Sequence, residues 1–143
     1  MFNKILVPID GSECSLRALD AAKKIGEKFQ SEIYILSVIQ EINIVKQVPT
    51  AYTYSAQIQE GSMEMIKEIL NNAVARISPY EYELHSEYLL GNVAKEIIKY
   101  AEDKDIGLIV IGSRGLGAFS RTLLGSVSNK VLNSSNKSVL VIK

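Results

Sequence analysis

The apolar run Leu108–Ile111 stops at Gly112-Ser113-Arg114-Gly115, and after the nine residues 116–124 the chain continues with Gly125-Ser126-Val127-Ser128. Glycines at the end of a strand let the backbone approach a ligand closely, and the free amides of a following helix attract anions. Ordinary strand-to-helix turns also use glycine. The serine hydroxyls and the arginine of these two segments favour an anion-binding loop on an α/β sheet.

The spacing of the glycines excludes two common nucleotide motifs. A Walker loop ends in Gly-Lys, and no Gly-Lys pair occurs in this chain. The dinucleotide fingerprint places G-x-G-x-x-G directly after the first strand, where this chain has Asp10-Gly11-Ser12. Both of these common nucleotide motifs are therefore absent from the chain.

Strand-like and helix-like patterns alternate along the chain. Short apolar or alternating runs predict strands, and apolar residues at helical spacing predict the helices between them. Residues from Gln40 to Gln57 follow no clear period and are predicted to be a loop. The predicted strands are 4–9, 33–39, 82–88, 106–111 and 138–142, and the predicted helices are 12–29, 58–77 with a break near Gly61, 92–101 and 126–132.

This alternation predicts a doubly wound, five-stranded parallel sheet with helices on both faces. The third strand alternates polar and apolar residues, so we place it at a sheet edge, which favours the order 3-2-1-4-5. In such sheets ligands bind at the carboxyl ends of the strands where the winding reverses. Asp10 and Gly112 lie at the ends of the two strands that flank this point.

Composition limits the possible partners and compartments. The 143 residues suit one domain, 1–143, and 16 basic residues balance 16 acidic ones, so we expect no nucleic-acid partner. No apolar run approaches the roughly 20 residues of a membrane span, and a strand-like run begins at Lys4, so we expect a cytoplasmic protein without a membrane partner. Cys14 and His85 are the only cysteine and histidine. A transition-metal site is not expected from a single histidine.

Three motifs together resemble the universal stress protein family. They are Val7-Pro8-Ile9-Asp10-Gly11-Ser12, the run from Leu108 to Gly115, and Gly125-Ser126-Val127-Ser128. The resemblance covers the full length, and the G-x2-G-x9-G-S spacing is that of the ATP-binding subgroup. It implies a Rossmann-like fold of the adenine nucleotide alpha hydrolase type. Gly107 departs from the family pattern, in which an acidic residue often precedes the fourth strand.

The resemblance also implies a bound adenine nucleotide, which is ATP, ADP or AMP. The backbone of Val38 would contact the adenine edge, and Asp10 would lie near the ribose and phosphates. A carboxylate beside a phosphate favours an intervening cation, so Mg²⁺ or Mn²⁺ is expected near Asp10. The implied contact residues are Pro8, Ile9, Asp10, Val38, Ile111, Gly112, Arg114, Gly115, Gly125, Ser126, Val127 and Ser128.

Three functions remain open at this point. The first is an ATP-binding regulatory protein of the stress response, with slow or no hydrolysis because the loop supplies no lysine and no second acidic residue. The second is a nucleotide-activating enzyme or a weak ATPase. Asp10 and Arg114 are the candidate groups for phosphoryl transfer. The third is a nucleotide-independent interaction module. The last strand, 138–142, is a short apolar edge, so we also expect a homodimer formed through it.

Overall fold

The computed structural model describes residues 1–40, 49–115 and 124–143. Strands and helices alternate through the described chain, as the apolar periods predict. The elements are β1 (Lys4–Pro8), α1 (Glu13–Phe29), β2 (Glu32–Gln40), α2 (Pro49–Ile77), β3 (Leu84–Gly91), α3 (Val93–Asp103), β4 (Leu108–Gly112), α4 (Ser126–Ser134) and β5 (Ser138–Ile142).

The strands form one parallel sheet in the order β3-β2-β1-β4-β5, which confirms the predicted topology. The central strand β1 is paired on both sides, so that Leu6 lies opposite Tyr34 of β2 and Ile109 of β4. The edge strand β3 is mostly half-buried, as its alternating pattern indicated. A strand at an edge needs less apolar surface than one buried on both faces.

Two cores lie on opposite faces of the sheet. Ile5 and Val7 of β1 belong to the core that α1 and α2 cover, whereas Leu6 points the other way into the core with α3 and α4. This division follows from the period of two along a strand. Because both faces of β1 are covered, its run of apolar residues is continuous.

The starts of α1 and α3 are capped as predicted. The Ser12 hydroxyl accepts from the backbone N–H of Ser15 at 3.3 Å. The side-chain oxygen of Asn92 accepts from the backbone N–H of Lys95 at 3.1 Å. Each cap satisfies an amide that the helix itself leaves free.

The predicted loop over 40–57 is wrong for residues 49–57, which belong to α2. The remaining part, 41–48, lies outside the described residues. Pro49 suits a first helical position, because its missing N–H would have no partner there anyway. A helical period of apolar residues predicts only those helical turns that bury an apolar stripe. Of the side chains described in α2, the buried ones are Leu70, Ala73 and Ile77, all in its second half.

Several strand limits also differ from the prediction. β1 ends at Pro8 rather than Ile9, and β4 begins at Leu108 rather than Ile106. Ile106 is buried, but it precedes the ladder, so its apolar character reflects packing and not pairing. β3 runs from Leu84 to Gly91 instead of 82–88. No helix in the described part of the chain is long and apolar enough to cross a membrane.

Replacing glycine by alanine should have opposite effects on stability at two helical positions, Gly26 and Gly61. A Cβ added at Gly26 would lie 2.1 Å from the hydroxyl oxygen of Tyr80, which donates to the Ser31 carbonyl at 2.6 Å. We expect Gly26→Ala to lower the free energy of unfolding by about 1–3 kcal/mol through overpacking. At Gly61 no atom of the described residues lies within 4 Å of an added Cβ, apart from the local helix backbone and the two chain neighbours. Gly61→Ala should therefore raise the free energy of unfolding by about 0.5–1 kcal/mol.

Urea unfolding at one protein concentration, without added nucleotide, measures both effects. Tyr80→Phe removes the atom nearest to the new methyl group, so the double variant Gly26→Ala/Tyr80→Phe should cost less than the sum of its single changes. Equal stability of the two alanine variants would contradict the packing of Gly26 against Tyr80.

Candidate functional site

A cavity of about 350 Å³ opens at the carboxyl ends of β1, β2 and β4. The sheet opens here because the β1–β4 register includes only the pairs Ile5–Leu108 and Leu6–Ile109, while both strands continue further. All the contact residues implied by the sequence lie around this one cavity. Its lining is Pro8, Ile9, Asp10, Ser15, Leu36, Val38, Val93, Ile97, Ile111, Gly112, Arg114, Gly115, Gly125, Ser126, Val127 and Ser128.

One end of the cavity is apolar and borders the end of β2. The pairing of β1 with β2 ends at Pro8 and Leu36, after which the Ile9 N–H still donates to the Leu36 carbonyl at 2.8 Å. Peptide groups alternate in direction along a strand, so the backbone of Val38 is directed to the same side as that of Leu36. This side faces the cavity. A planar ring bound here could contact the backbone of Val38.

The buried hydroxyl of Ser37 links β2 to the residue that follows β1. It donates to the Ile9 carbonyl at 2.7 Å and is fully buried. A buried hydroxyl with a partner avoids a desolvation cost. The apolar end of the cavity is therefore a fixed slot between two strand ends.

Asp10 stands at the junction between the apolar and polar ends. Its Oδ1 accepts from the backbone N–H of Ser12 at 2.9 Å, which orients the carboxylate. Its Oδ2 lies 2.7 Å from the position that a Cβ on Gly115 would occupy. A side chain at 115 would therefore displace this oxygen, which glycine leaves in place. Oriented this way, Oδ2 can accept from a sugar hydroxyl or bind a cation.

Ser113 ties the two glycine segments together. Its carbonyl accepts from the Gly125 N–H at 2.7 Å and from the Ser128 hydroxyl at 2.9 Å. Its own N–H donates to the Ile142 carbonyl at 2.7 Å. Gly112, one residue earlier, packs so closely on α1 that a Cβ would lie 2.8 Å from the carbonyl carbon of Cys14. These contacts fix the start of α4 over the cavity.

The start of α4 differs from those of α1 and α3, because its N-cap residue has no side chain with which to cap it. Gly125 is its N-cap residue and supplies no side-chain hydrogen bond. The following residues, Ser126, Val127 and Ser128, line the cavity. Free amides and the positive end of the helix dipole favour an anion at such a place.

Arg114 adds a positive charge to the polar end of the cavity. Among the described lining residues it is the only basic one, and Asp10 is the only acidic one. One cation, one carboxylate and a set of free amides suit the recognition of a phosphorylated ligand. Among the described lining residues there is no second carboxylate that could share metal binding and general-base chemistry.

Sequence reasoning missed four lining residues, namely Ser15, Leu36, Val93 and Ile97. Leu36 lies two residues before Val38, so the strand period could have placed both on one side. Val93 and Ile97 are one helical turn apart at the start of α3, which also puts them on one side. Their approach to the cavity depends on how α3 packs against the sheet, which no local pattern reports.

The family model for the universal stress protein family matches residues 1–143. Among curated relatives, universal stress protein YxiE of Bacillus subtilis is 38% identical, with the alignment covering 100% of both chains. Universal stress protein MJ0531 of Methanocaldococcus jannaschii is 34% identical over 100% of this chain and 83% of its own.

Solved structures share the fold. The structure of MJ0577, a protein of Methanocaldococcus jannaschii, has a TM-score of 0.86 at 30% identity and covers 100% of this chain and 96% of its own. A universal stress protein of Archaeoglobus fulgidus in complex with dAMP has a TM-score of 0.73 at 24% identity, covering 100% of both chains. A universal stress protein in complex with cAMP has a TM-score of 0.75 at 23% identity, covering 99% of this chain and 97% of its own.

Proposed function

Because this chain belongs to the universal stress protein family, we propose that it is a cytoplasmic regulatory protein of the stress response whose ligand is an adenine nucleotide, ATP first among them. The single observation that carries the proposal is the uncapped start of α4 at the polar end of a cavity whose other end is apolar. Such a cavity matches a ligand with a flat apolar base and an anionic tail.

The two nucleotide complexes among the structural neighbours add support. Each holds an adenine nucleotide, cAMP in one and dAMP in the other, on the same fold. Both are less than 25% identical to this chain, so the argument for binding rests on this chain's own cavity. The base would lie in the slot beside Val38, and the phosphates would meet the amides at the start of α4.

Asp10 is the residue that would hold Mg²⁺ or Mn²⁺. Asp10 lines the cavity, and within the described residues only its Oδ1 accepts a hydrogen bond. One carboxylate combined with ligand phosphates is a usual arrangement for Mg²⁺ in proteins. When bound, the ion would neutralise phosphate charge beside the carboxylate. Asp10 itself would serve to position that charge and to keep the end of β1 polar.

Binding is better supported than turnover. Phosphoryl transfer needs a group that positions the nucleophile in addition to cations that stabilise the transition state. Asp10 is the only acidic residue in the described lining, and Arg114 is the only cation. If Asp10 binds the metal ion, no second carboxylate there remains to act as a base. We therefore expect slow or no hydrolysis. A nucleotide-activating enzyme is the second candidate function.

The proposal is tested by denaturing freshly purified protein and identifying any released nucleotide by chromatography. Calorimetry with ATP, ADP and AMP, each with and without Mg²⁺, then ranks the ligands. Incubation with ATP and Mg²⁺ measures turnover. If the protein releases no nucleotide and gives no binding heat, the proposal is overturned and a nucleotide-independent interaction module is the remaining function. A turnover above about 1 per second would support an enzyme.

The assembly that we propose is a homodimer formed through β5. This strand is a sheet edge, and Leu140 on it is 37% exposed. An apolar edge strand with free peptide groups invites pairing, and a two-fold axis would close both edges at once. Light scattering should give twice the mass of one chain at micromolar concentration. The mass of one chain would count against the dimer without affecting the nucleotide proposal.

A further inference from the structure

A second cluster of polar side chains lies at the opposite end of the sheet from the cavity. Glu32 is the first residue of β2, Glu83 directly precedes β3, and His85 is the second residue of β3. The register pairs Ile33 with Leu84, so the residues that flank this pair share one face of the two strands. None of the three lines the cavity, and Val38 lies six residue steps, roughly 20 Å, along the extended strand from Glu32.

The cluster brings three ligand atoms together at an unusual spacing. His85 Nε2 lies 3.3 Å from Oε2 of Glu83 and 3.7 Å from Oε2 of Glu32. The three atoms lie within 4.8 Å of one another. Both separations are longer than the usual range of about 2.7–3.2 Å for an N–H···O hydrogen bond. Zinc bonds of about 2.0–2.2 Å in a tetrahedron separate neighbouring ligand atoms by roughly 3.3–3.6 Å.

The Nε2 atom supplies a second, independent observation. It is itself buried and has no hydrogen-bond partner, the only such side-chain atom in the described part of the chain. A buried polar atom without a partner is costly unless another species satisfies it. The Glu83 side chain is 72% exposed, so the cluster lies at the protein surface.

Tyr34 holds two of the three ligands in place. Its hydroxyl donates to Oε2 of Glu32 at 2.7 Å, and its ring stacks on the His85 imidazole with centroids 4.4 Å apart. Partners of this kind orient metal ligands and raise their affinity for the ion.

The cluster also carries uncompensated negative charge. Within the described residues, neither Glu32 nor Glu83 has a lysine or arginine nitrogen within 4.0 Å. Lys4, which lies opposite Glu32 in the β1–β2 register, has its Nζ 6.0 Å from the Tyr34 ring centroid. A divalent cation would supply the missing charge.

We infer that Glu32, Glu83 and His85 form a binding site for a divalent transition-metal ion of the zinc class. One imidazole with two carboxylates is a ligand set that zinc accepts, and it leaves a fourth position for water. The sequence argued against such a site because it offers one histidine, but the fold adds carboxylates from two strands. Bound metal would link the edge strand β3 to β2 and so stabilise that edge.

The single histidine provides a direct test. Untagged protein labelled with ¹⁵N only in histidine contains one imidazole, whose Nε2 signal reports on His85 alone. Titration with Zn²⁺ should shift this signal to saturation and raise the melting temperature. Glu32→Gln and Glu83→Gln should each weaken zinc binding at least about tenfold. Titration with Mg²⁺ should leave the signal unchanged, since this hard ion prefers oxygen ligands.

Glu81→Gln is the matched control, because Glu81 is exposed, precedes the same strand and lies outside the cluster. Its zinc affinity should stay within about twofold of that of the unmodified chain. An Nε2 signal that Zn²⁺ does not move, or equal affinity in Glu83→Gln and Glu81→Gln, would overturn the inference. The readout at His85 does not depend on nucleotide binding, so it stands or falls separately from the proposed function.

Discussion

Gly125→Val should lower the affinity for ATP at least about hundredfold, a loss of about 2.7 kcal/mol of binding free energy, while the chain stays folded. Gly125 forms the junction between the loop and α4, and its N–H donates to the Ser113 carbonyl at 2.7 Å. A Cβ at this position would lie 3.3 Å from that carbonyl oxygen and 3.4 Å from the Cα of Arg114. The branched side chain would therefore displace the loop or fill the space that the phosphates need.

The fold should tolerate this change because Gly125 has φ −61° and ψ 159°, a conformation open to any residue. Calorimetry with ATP and Mg²⁺ measures the loss, and circular dichroism checks the fold. Gly61→Val is the matched control, since Gly61 lies in α2 and no described side chain beyond its chain neighbours lies within 4 Å of an added Cβ. Equal affinity of Gly125→Val and Gly61→Val would show that the start of α4 does not bind the phosphates.

Leu6→Ala should lower the free energy of unfolding by about 2–5 kcal/mol, the largest stability effect that we expect from a single change here. Leu6 is fully buried on the central strand, with neighbouring strands on both sides. Truncation removes apolar contacts and leaves a cavity that flanking strands cannot collapse to fill. Urea unfolding measures the loss, and nucleotide affinity of the folded variant should stay unchanged because Leu6 does not line the cavity.

Leu140→Ala provides the same truncation on an edge strand. Leu140 is 37% exposed, so its loss should cost less than about 1 kcal/mol in a single chain. If two copies pair through β5, the loss of unfolding free energy caused by Leu140→Ala should grow with protein concentration. The loss caused by Leu6→Ala should not depend on protein concentration in this way. A cost below about 1 kcal/mol for Leu6→Ala would contradict the central position of this side chain.

Local sequence patterns were sufficient for the topology. Strands buried on both faces need continuous apolar runs, and an edge strand tolerates alternation, so residues 4–8 and the polar alternation around His85 already indicated the centre and the edge. The cavity residues on the glycine segments could also be predicted, since a close backbone approach requires glycine. Their contact with a nucleotide stays a prediction.

The first turns of α2 could not be predicted in the same way. Hydrophobic periodicity reports burial, and the buried side chains described in this helix all come after residue 69. The helical turns from Pro49 onward continue a helix whose later turns are packed on the sheet. Tertiary packing of one part of a helix can stabilise a neighbouring part that shows no apolar stripe of its own.

The sequence by itself determined which strands are buried, which strand lies at the edge and where the backbone must come close to a ligand, because each of these depends on a residue and its immediate neighbours. Only the tertiary structure decided which distant side chains meet. Val93 of α3 reaches the cavity, and Glu32 lies beside His85, because the register of β2 with β3 and the packing of α3 bring them there. Contacts between elements depend on register and packing, and no local period along the chain encodes them.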